Sequence, residues 1–282
     1  MRQLRTLLVL GRISNLPTVW SNCLAAWLLN SGQSWTNFYV LCVAATLLYV
    51  GGMFLNDAFD AAFDRQFRQE RPIPSGQITV RAVWCIGTIL LLLGWLLMWL
   101  LGTSVALIGV LLVGAIILYD AVHKRTTFAP LLMAACRFLL CLVAASATLR
   151  PVNDAVVWHG LALAAYITGL SCLARGETGQ GRIRRWPLLL LSAPLAANVM
   201  LNSDRDATSW MTSAILLAWL LWCLHGSSGR AVQPAGKIVA GLLAGIVLVD
   251  GAALPGLTAE STVAFTGLFI LALILQRKIP AT

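Results

Sequence analysis

Apolar residues run along this chain in stretches of roughly twenty, separated by short segments that gather almost all the charge. A helix crossing a bilayer needs about 20 mostly apolar residues. On that rule the spans fall at about 12–31, 36–60, 82–101, 104–123, 128–148, 155–175, 186–202, 209–225, 236–255 and 260–276. Two of them, 186–202 and 209–225, are short, so the pattern predicts nine to ten membrane-spanning helices. The expected fold is all-α: a polytopic transmembrane helical bundle around a central cavity opening to the cytoplasmic side. Residues 1–282 read as a single integral-membrane domain with no linker and no low-complexity tract. Spans 2, 4 and 6 each end in a polar cluster at one face, as helices feeding a shared cavity would.

Composition agrees with the pattern. The 282 residues are 59% hydrophobic and only 11% charged, and mean hydropathy is +0.82. An ordinary soluble domain carries about 25% charged residues, so a soluble enzyme, a disordered chain and a disulfide scaffold are all excluded. The net charge of +9 would suggest nucleic acid on a soluble surface. Here the bases lie between apolar runs, so topology explains them and no nucleic-acid partner is expected. Of the 20 Lys and Arg residues, only Arg150 and Arg205 fall in outer segments, and Arg137 lies within a span. That bias puts both termini, and the polar connections, in the cytoplasm. The expected location is the inner membrane, with the active site on its cytoplasmic side. The apolar run in MRQLRTLLVLGR is too short for a signal peptide and has no small-residue cleavage site, so the first span is expected to be retained. Seven cysteines sit inside apolar stretches without metal-type spacing and read as small buried hydrophobes.

The chemistry concentrates in NDAFDAAFDRQFRQERPIPSG, from Asn56 to Gly76. At about 100° per residue, Asn56, Asp60, Asp64 and Asp57 fall at roughly 0°, 40°, 80° and 100° around a helix. Three carboxylates on one face repel one another and are expensive beside a membrane. Either Arg65 and Arg68 neutralise them as a solvated helix end, or they bind Mg²⁺ through hard oxygen ligands and present it to phosphate oxygens. Arg71, Pro72 and the turn at Pro74-Ser75-Gly76 suggest a stiff loop that holds an arginine over the cluster.

These residues resemble the first aspartate-rich motif of the UbiA superfamily of intramembrane prenyltransferases, N-D-x-x-D-x-x-x-D followed by R-P-I-P-S-G. Tyr119 through Thr126 is similar to that family's Tyr…Lys-Arg loop, with one extra residue before the lysine. Met133 and Cys136-Arg137 are similar to a further stretch, and the likeness covers most of residues 12–185. The resemblance implies that Asn56, Asp57, Asp60 and Asp64 hold Mg²⁺ and an isoprenyl diphosphate. It implies that Arg71, with Arg68 and Arg125 nearby, binds the diphosphate. Tyr119 and Lys124 would stabilise the diphosphate or the allylic cation. The implied reaction alkylates a lipophilic, electron-rich acceptor within membrane lipid.

The likeness fails where a second aspartate-rich motif should close span 6. The chain reads Leu173-Ala174-Arg175-Gly176-Glu177-Thr178, with one acidic residue. Arg175 then either supplies in place the positive charge of a second metal ion, with Glu177 orienting it or holding the single remaining ion, or caps a helix C-terminus. An atypical branch is implied. Three functions stand side by side: a Mg²⁺-dependent prenyltransferase, a terpene cyclase of the same fold, and a non-catalytic isoprenoid binder or transporter.

Smaller signals complete the reading. The resemblance implies that Asn22, with Asn15, Pro17 and Trp20, borders the acceptor pocket; the alternative is helix packing. Arg137 and Asp250, deep in spans, pair with each other or carry function. Asp120 beside His123 is either a base for a departing ring proton or a solvated helix end. Pro194 is expected to kink span 7.

Overall fold

A computed structural model describes residues 2–176, 186–201, 207–225 and 235–279. Among them the ordered elements are helical: α1 Arg2–Leu10, α2 Leu16–Leu29, α3 Trp35–Phe67, α4 Val80–Leu101, α5 Thr103–Val122 and α6 Ala129–Ser146. They continue with α7 Asp154–Gly176, α8 Trp186–Leu191, α9 Ala193–Leu201, α10 Ala207–His225, α11 Ala235–Ala252 and α12 Ala259–Lys278. Seven of these (α3, α4, α5, α6, α7, α10 and α12) are long and apolar enough to cross a membrane.

Local chemistry sets the helix starts. Ser34 and Thr79 accept from the backbone N–H of Asn37 and Ala82 and so cap α3 and α4. Asn153 does the same for Val156 at the head of α7. Pro17 and Pro130 occupy the first turns of α2 and α6, where a missing N–H costs nothing.

Two departures from the hydropathy reading have clear causes. The segment 186–202 is not one span but α8 and α9, broken at Ser192. Pro194, second residue of α9, has no N–H to continue the ladder from α8, so the helix restarts there. Before the first span, Arg2–Leu10 forms its own short amphipathic helix, exposing Leu4 and burying Leu10 against Phe54, Ala58 and Ile73.

The bundle packs through small residues where helices press together. A Cβ on Gly51 would lie 2.9 Å from the Gly87 carbonyl, so α3 and α4 touch backbone to backbone there. In a membrane such close approach is what dispersion between helices requires. The main core joins α2, α3, α6, α7 and α11 through Trp27, Leu48, Cys141, Leu163, Tyr166 and Leu242. An apolar cavity of about 290 Å³ is left between these helices and α5.

Candidate active site

Helix α3 has 33 residues, about 50 Å at 1.5 Å per residue. A hydrocarbon core is about 30 Å thick, so the last turns reach past it. Those turns carry Asn56, Asp57, Asp60 and Asp64, all buried, with Asp64 only 1% exposed. The helical arithmetic holds: the four side chains share one face.

Cations from three connections close on that face. The loop after α3 is tied to itself by Arg71 N to Arg68 O (3.1 Å), Ser75 N to Arg71 O (3.0 Å) and Gln77 N to Pro72 O (3.0 Å). It holds Arg71 so that Nη1 donates to Asp57 Oδ1 and Asp64 Oδ2, each at 3.1 Å. From the α5–α6 connection, Lys124 Nζ reaches Asp60 Oδ1 at 2.8 Å and Asp64 Oδ1 at 3.8 Å. The same ammonium lies 3.8 Å over the Phe63 ring. His123 Nε2 stands 3.5 Å from Asp60 Oδ2, and Tyr119 stacks on its ring. From the α1–α2 turn, Arg12 donates to Asn56 Oδ1 at 3.2 Å and to Asp57 Oδ1 at 3.5 Å. Arg12 is in the left-handed region (φ 41°), and its carbonyl accepts from Tyr49 Oη. Asn56 Nδ2 donates to buried Asp120, 3.0 Å away.

Asn56, Asp57, Asp60, Asp64, Arg71, Tyr119 and Lys124, singled out in the sequence, therefore meet at one end of the bundle. Others do not join them. Arg68 and Arg125 are exposed, and among the described residues neither side chain enters the ion-paired cluster. Glu177 lies outside the described residues. Asn22, expected at the acceptor pocket, is fully buried, and both ends of its amide are taken, by Asp250 and by Arg137. Arg137 and Asp250 thus communicate through Asn22 and do not touch directly. Arg175 turns its guanidinium onto the carbonyls of His123, Thr126 and Thr127. His123 caps α5, and Thr126 and Thr127 belong to the connection after it, so these bonds tie Arg175 to the α5–α6 connection. Arg175 is a clamp on the loop that presents Lys124.

Sequence reasoning missed Arg12 as a site residue. A basic residue just before a first span is what topology alone would place there, so it carried no distinguishing signal. The Asn-Leu-Pro that follows it marks a turn, and the turn is what aims the side chain.

The cavity opens beneath this cluster. Arg12, Tyr119, Asp120 and Arg175 stand at one end of its wall, and Val19, Leu48, Leu112, Leu140 and Leu243 line its apolar remainder. The carboxylates are matched by cations, and among the described residues no metal-ligand cluster stands preformed. The donor set nonetheless suits a hard cation. Buried Asp64 Oδ1 has no hydrogen-bond partner, and neither has Asp120 Oδ2. Oxygen atoms of this kind are what Mg²⁺ takes, in company with phosphate oxygens.

Kinship agrees with the geometry. The model of the UbiA prenyltransferase family matches residues 14–248. A 4-hydroxybenzoate octaprenyltransferase of Acidovorax ebreus (strain TPSY) is 25% identical over 231 residues, covering 77% of this chain and 78% of that protein. Among solved structures, a digeranylgeranylglyceryl phosphate synthase superposes with a TM-score of 0.64 at 20% identity, over 89% of this chain and 98% of that one. The apo structure of a UbiA homolog from Aeropyrum pernix K1 gives 0.65 at 15% identity, over 86% and 97%. Those two likenesses carry the fold.

Proposed function

This chain belongs to the UbiA prenyltransferase family and is an integral-membrane prenyltransferase; from that premise we propose Mg²⁺-dependent transfer of an isoprenyl group from an isoprenyl diphosphate to a lipophilic aromatic acceptor inside the membrane. The observation that carries the proposal is the cluster itself. Asp57, Asp60 and Asp64 are bracketed by Arg12, Arg71 and Lys124, and Arg12 also lines the apolar cavity, so the cluster and the cavity adjoin. A site that must accept a highly charged head and a greasy tail needs both halves.

Asn56, Asp57, Asp60 and Asp64 would hold Mg²⁺, which when bound neutralises charge on the departing diphosphate. The protein's own contributions follow from its groups. Arg71 spends one nitrogen on Asp57 and Asp64, leaving its other N–H donors for phosphate oxygens. Lys124 brings a point charge beside Asp60, and Arg175 fixes the loop it stands on. These fixed charges favour the diphosphate leaving group more than the intact ester. The apolar wall keeps water away from an allylic cation. The positive-inside charge pattern supports a cytoplasm-facing site. The Acidovorax relative's name makes an aromatic acceptor the first class to try.

The test is pyrophosphate release and prenylated product from geranylgeranyl diphosphate, with purified protein in lipid nanodiscs and 4-hydroxybenzoate as acceptor probe. Mg²⁺-dependent release with a prenylated product supports the proposal. Metal-independent retention of unreacted donor would support an isoprenoid binder, and release with a cyclised hydrocarbon would support a cyclase.

A further inference from the structure

The second concentration of polar groups lies away from the carboxylate cluster, in the middle of the bundle. Arg137 stands on α6, eight residues or about 12 Å of helix beyond Ala129. It is half-buried and forms part of the cavity wall among apolar side chains. Its Nη1 donates to Asn22 Oδ1 at 2.5 Å and to the Thr18 carbonyl at 3.1 Å, and its Nη2 donates to Thr18 Oγ1 at 3.0 Å. A guanidinium has five N–H donors. Three are committed to α2, so Nε and one Nη2 hydrogen remain.

The counter-charge for this cation is withheld from it. Asp250 on α11 is fully buried, and its Oδ2 accepts from Ser21 Oγ at 2.5 Å and from Asn22 Nδ2 at 2.7 Å. His159 Nε2 lies 3.2 Å from its other oxygen. Asn22 therefore stands between carboxylate and guanidinium. Arginine only donates and a carboxylate only accepts, so a single amide orientation satisfies both. The arrangement fixes the Arg137 fork in place without covering it. An uncovered guanidinium in an apolar wall is costly in a membrane, and such groups mark ligand sites by default.

We infer that Arg137 is an anion subsite inside the cavity, built to hold a carboxylate or comparable anionic oxygen on the acceptor, and that Asp250 is a positioning residue acting on it through Asn22. The chemistry is a bidentate hydrogen-bonded pair between a rigid fork and a planar oxyanion. A cavity of about 290 Å³ takes a ring-sized molecule. The helix rise separates this subsite from the Asp57, Asp60 and Asp64 cluster. The donor diphosphate then sits at the carboxylate cluster and the acceptor anion deeper in the bundle, with the reacting carbons between them. The inference rests on the prenyl-transfer reading for the word acceptor; the anion subsite itself does not.

The test is a binding measurement made without donor. Affinities of 4-hydroxybenzoate and of its uncharged methyl ester are measured by isothermal titration calorimetry on the purified protein in nanodiscs. Wild type is expected to favour the acid by at least ~10-fold, the worth of one charge-assisted pair in a site shielded from water. Arg137→Gln should abolish that preference with little effect on the ester. Arg137→Lys should keep part of it, since an ammonium keeps the charge but not the fork. Asp250→Asn should shrink it several-fold, because Asn22 loses its fixed orientation. Equal affinities in wild type would overturn the subsite. So would an Arg137→Gln protein that loses acid and ester alike together with thermal stability, the behaviour of a strut between α6 and α2. If Arg137→Gln does not fold, the acid–ester ratio of Arg137→Lys decides, and a ratio equal to wild type overturns the fork. Geranylgeranyl diphosphate binding, measured separately on wild type, reports on the donor site: its absence would defeat the proposed function while leaving the acid–ester comparison intact.

Discussion

Arg71 and Asp64 are seven residues apart in the chain and 3.1 Å apart in space, across the end of α3 and the first turn of the loop that follows. The same Arg71 nitrogen also holds Asp57. One guanidinium thus ties two helical turns of carboxylate to a loop stiffened by two prolines. Arg71→Ala should raise the donor KM by about 10–100-fold, the worth of hydrogen bonds between charged groups, with a smaller fall in kcat. Arg71→Lys should recover only part of it. Steady-state kinetics with varied geranylgeranyl diphosphate reads this directly; an unchanged KM would make the loop a mere connector.

Asp60→Asn and Asp64→Asn each remove a charge while hardly changing volume. Turnover should fall by at least ~10²-fold in each, as expected when a leading electrostatic contribution is lost. The Mg²⁺ concentration for half-maximal rate should rise for Asp64→Asn in particular, since its Oδ1 is buried without a hydrogen bond. Near-normal rates and Mg²⁺ curves in both variants would remove the metal assignment.

Arg175 clamps the loop carrying Lys124 through three main-chain carbonyls. Arg175→Ala should lower kcat/KM for the donor by roughly 10-fold, with Lys restoring some of it, as loss of a charge-assisted hydrogen-bond set would. A loop clamp predicts a Mg²⁺ midpoint close to wild type in both variants. A variant Arg175→Asp that turns over faster as Mg²⁺ is raised would instead mark this position as a stand-in for a second metal.

At Gly51 an added methyl would meet the Gly87 carbonyl and the backbone and side chain of Leu91 at 2.9–3.1 Å. Backbone cannot step aside as a flexible side chain does. Gly51→Ala should destabilise the bundle by about 1–3 kcal/mol through overpacking, seen as a lower unfolding temperature in detergent. Gly114→Ala, where nothing lies within 4 Å, is the matched control and should be nearly silent.

The clustering of Asn56, Asp57, Asp60 and Asp64 was legible because helical periodicity converts their spacing into a shared face, and a helix end is strongly constrained. The bundle was legible because hydropathy is a direct readout of the solvent each segment meets. What lay beyond reach was the direction of single long side chains. Whether Arg175 turns to phosphate, to its own helix or to a neighbouring loop depends on where the end of α5 lies. The bridging of Arg137 and Asp250 by Asn22 depends on three helices meeting. Pro194 marked the break in the seventh span, but only the missing ladder bond turns a kink into two helices.

Phe59, Phe63 and Phe67 recur every four residues of α3 along one edge of the carboxylate face and are exposed, with Phe59 edge-on to Trp84. These rings, with amphipathic Trp84 beside them, mark where the bilayer surface meets α3. Because they ride on the same turns as the carboxylates, the height at which the lipid surface grips the protein and the height of the ion-paired cluster are one quantity. A thicker bilayer must stretch past these rings, tilt the helix or be thinned around it, at a cost that grows with each ångström of mismatch. Lipid chain length thereby becomes a control on how deeply the carboxylates sit beneath the headgroups.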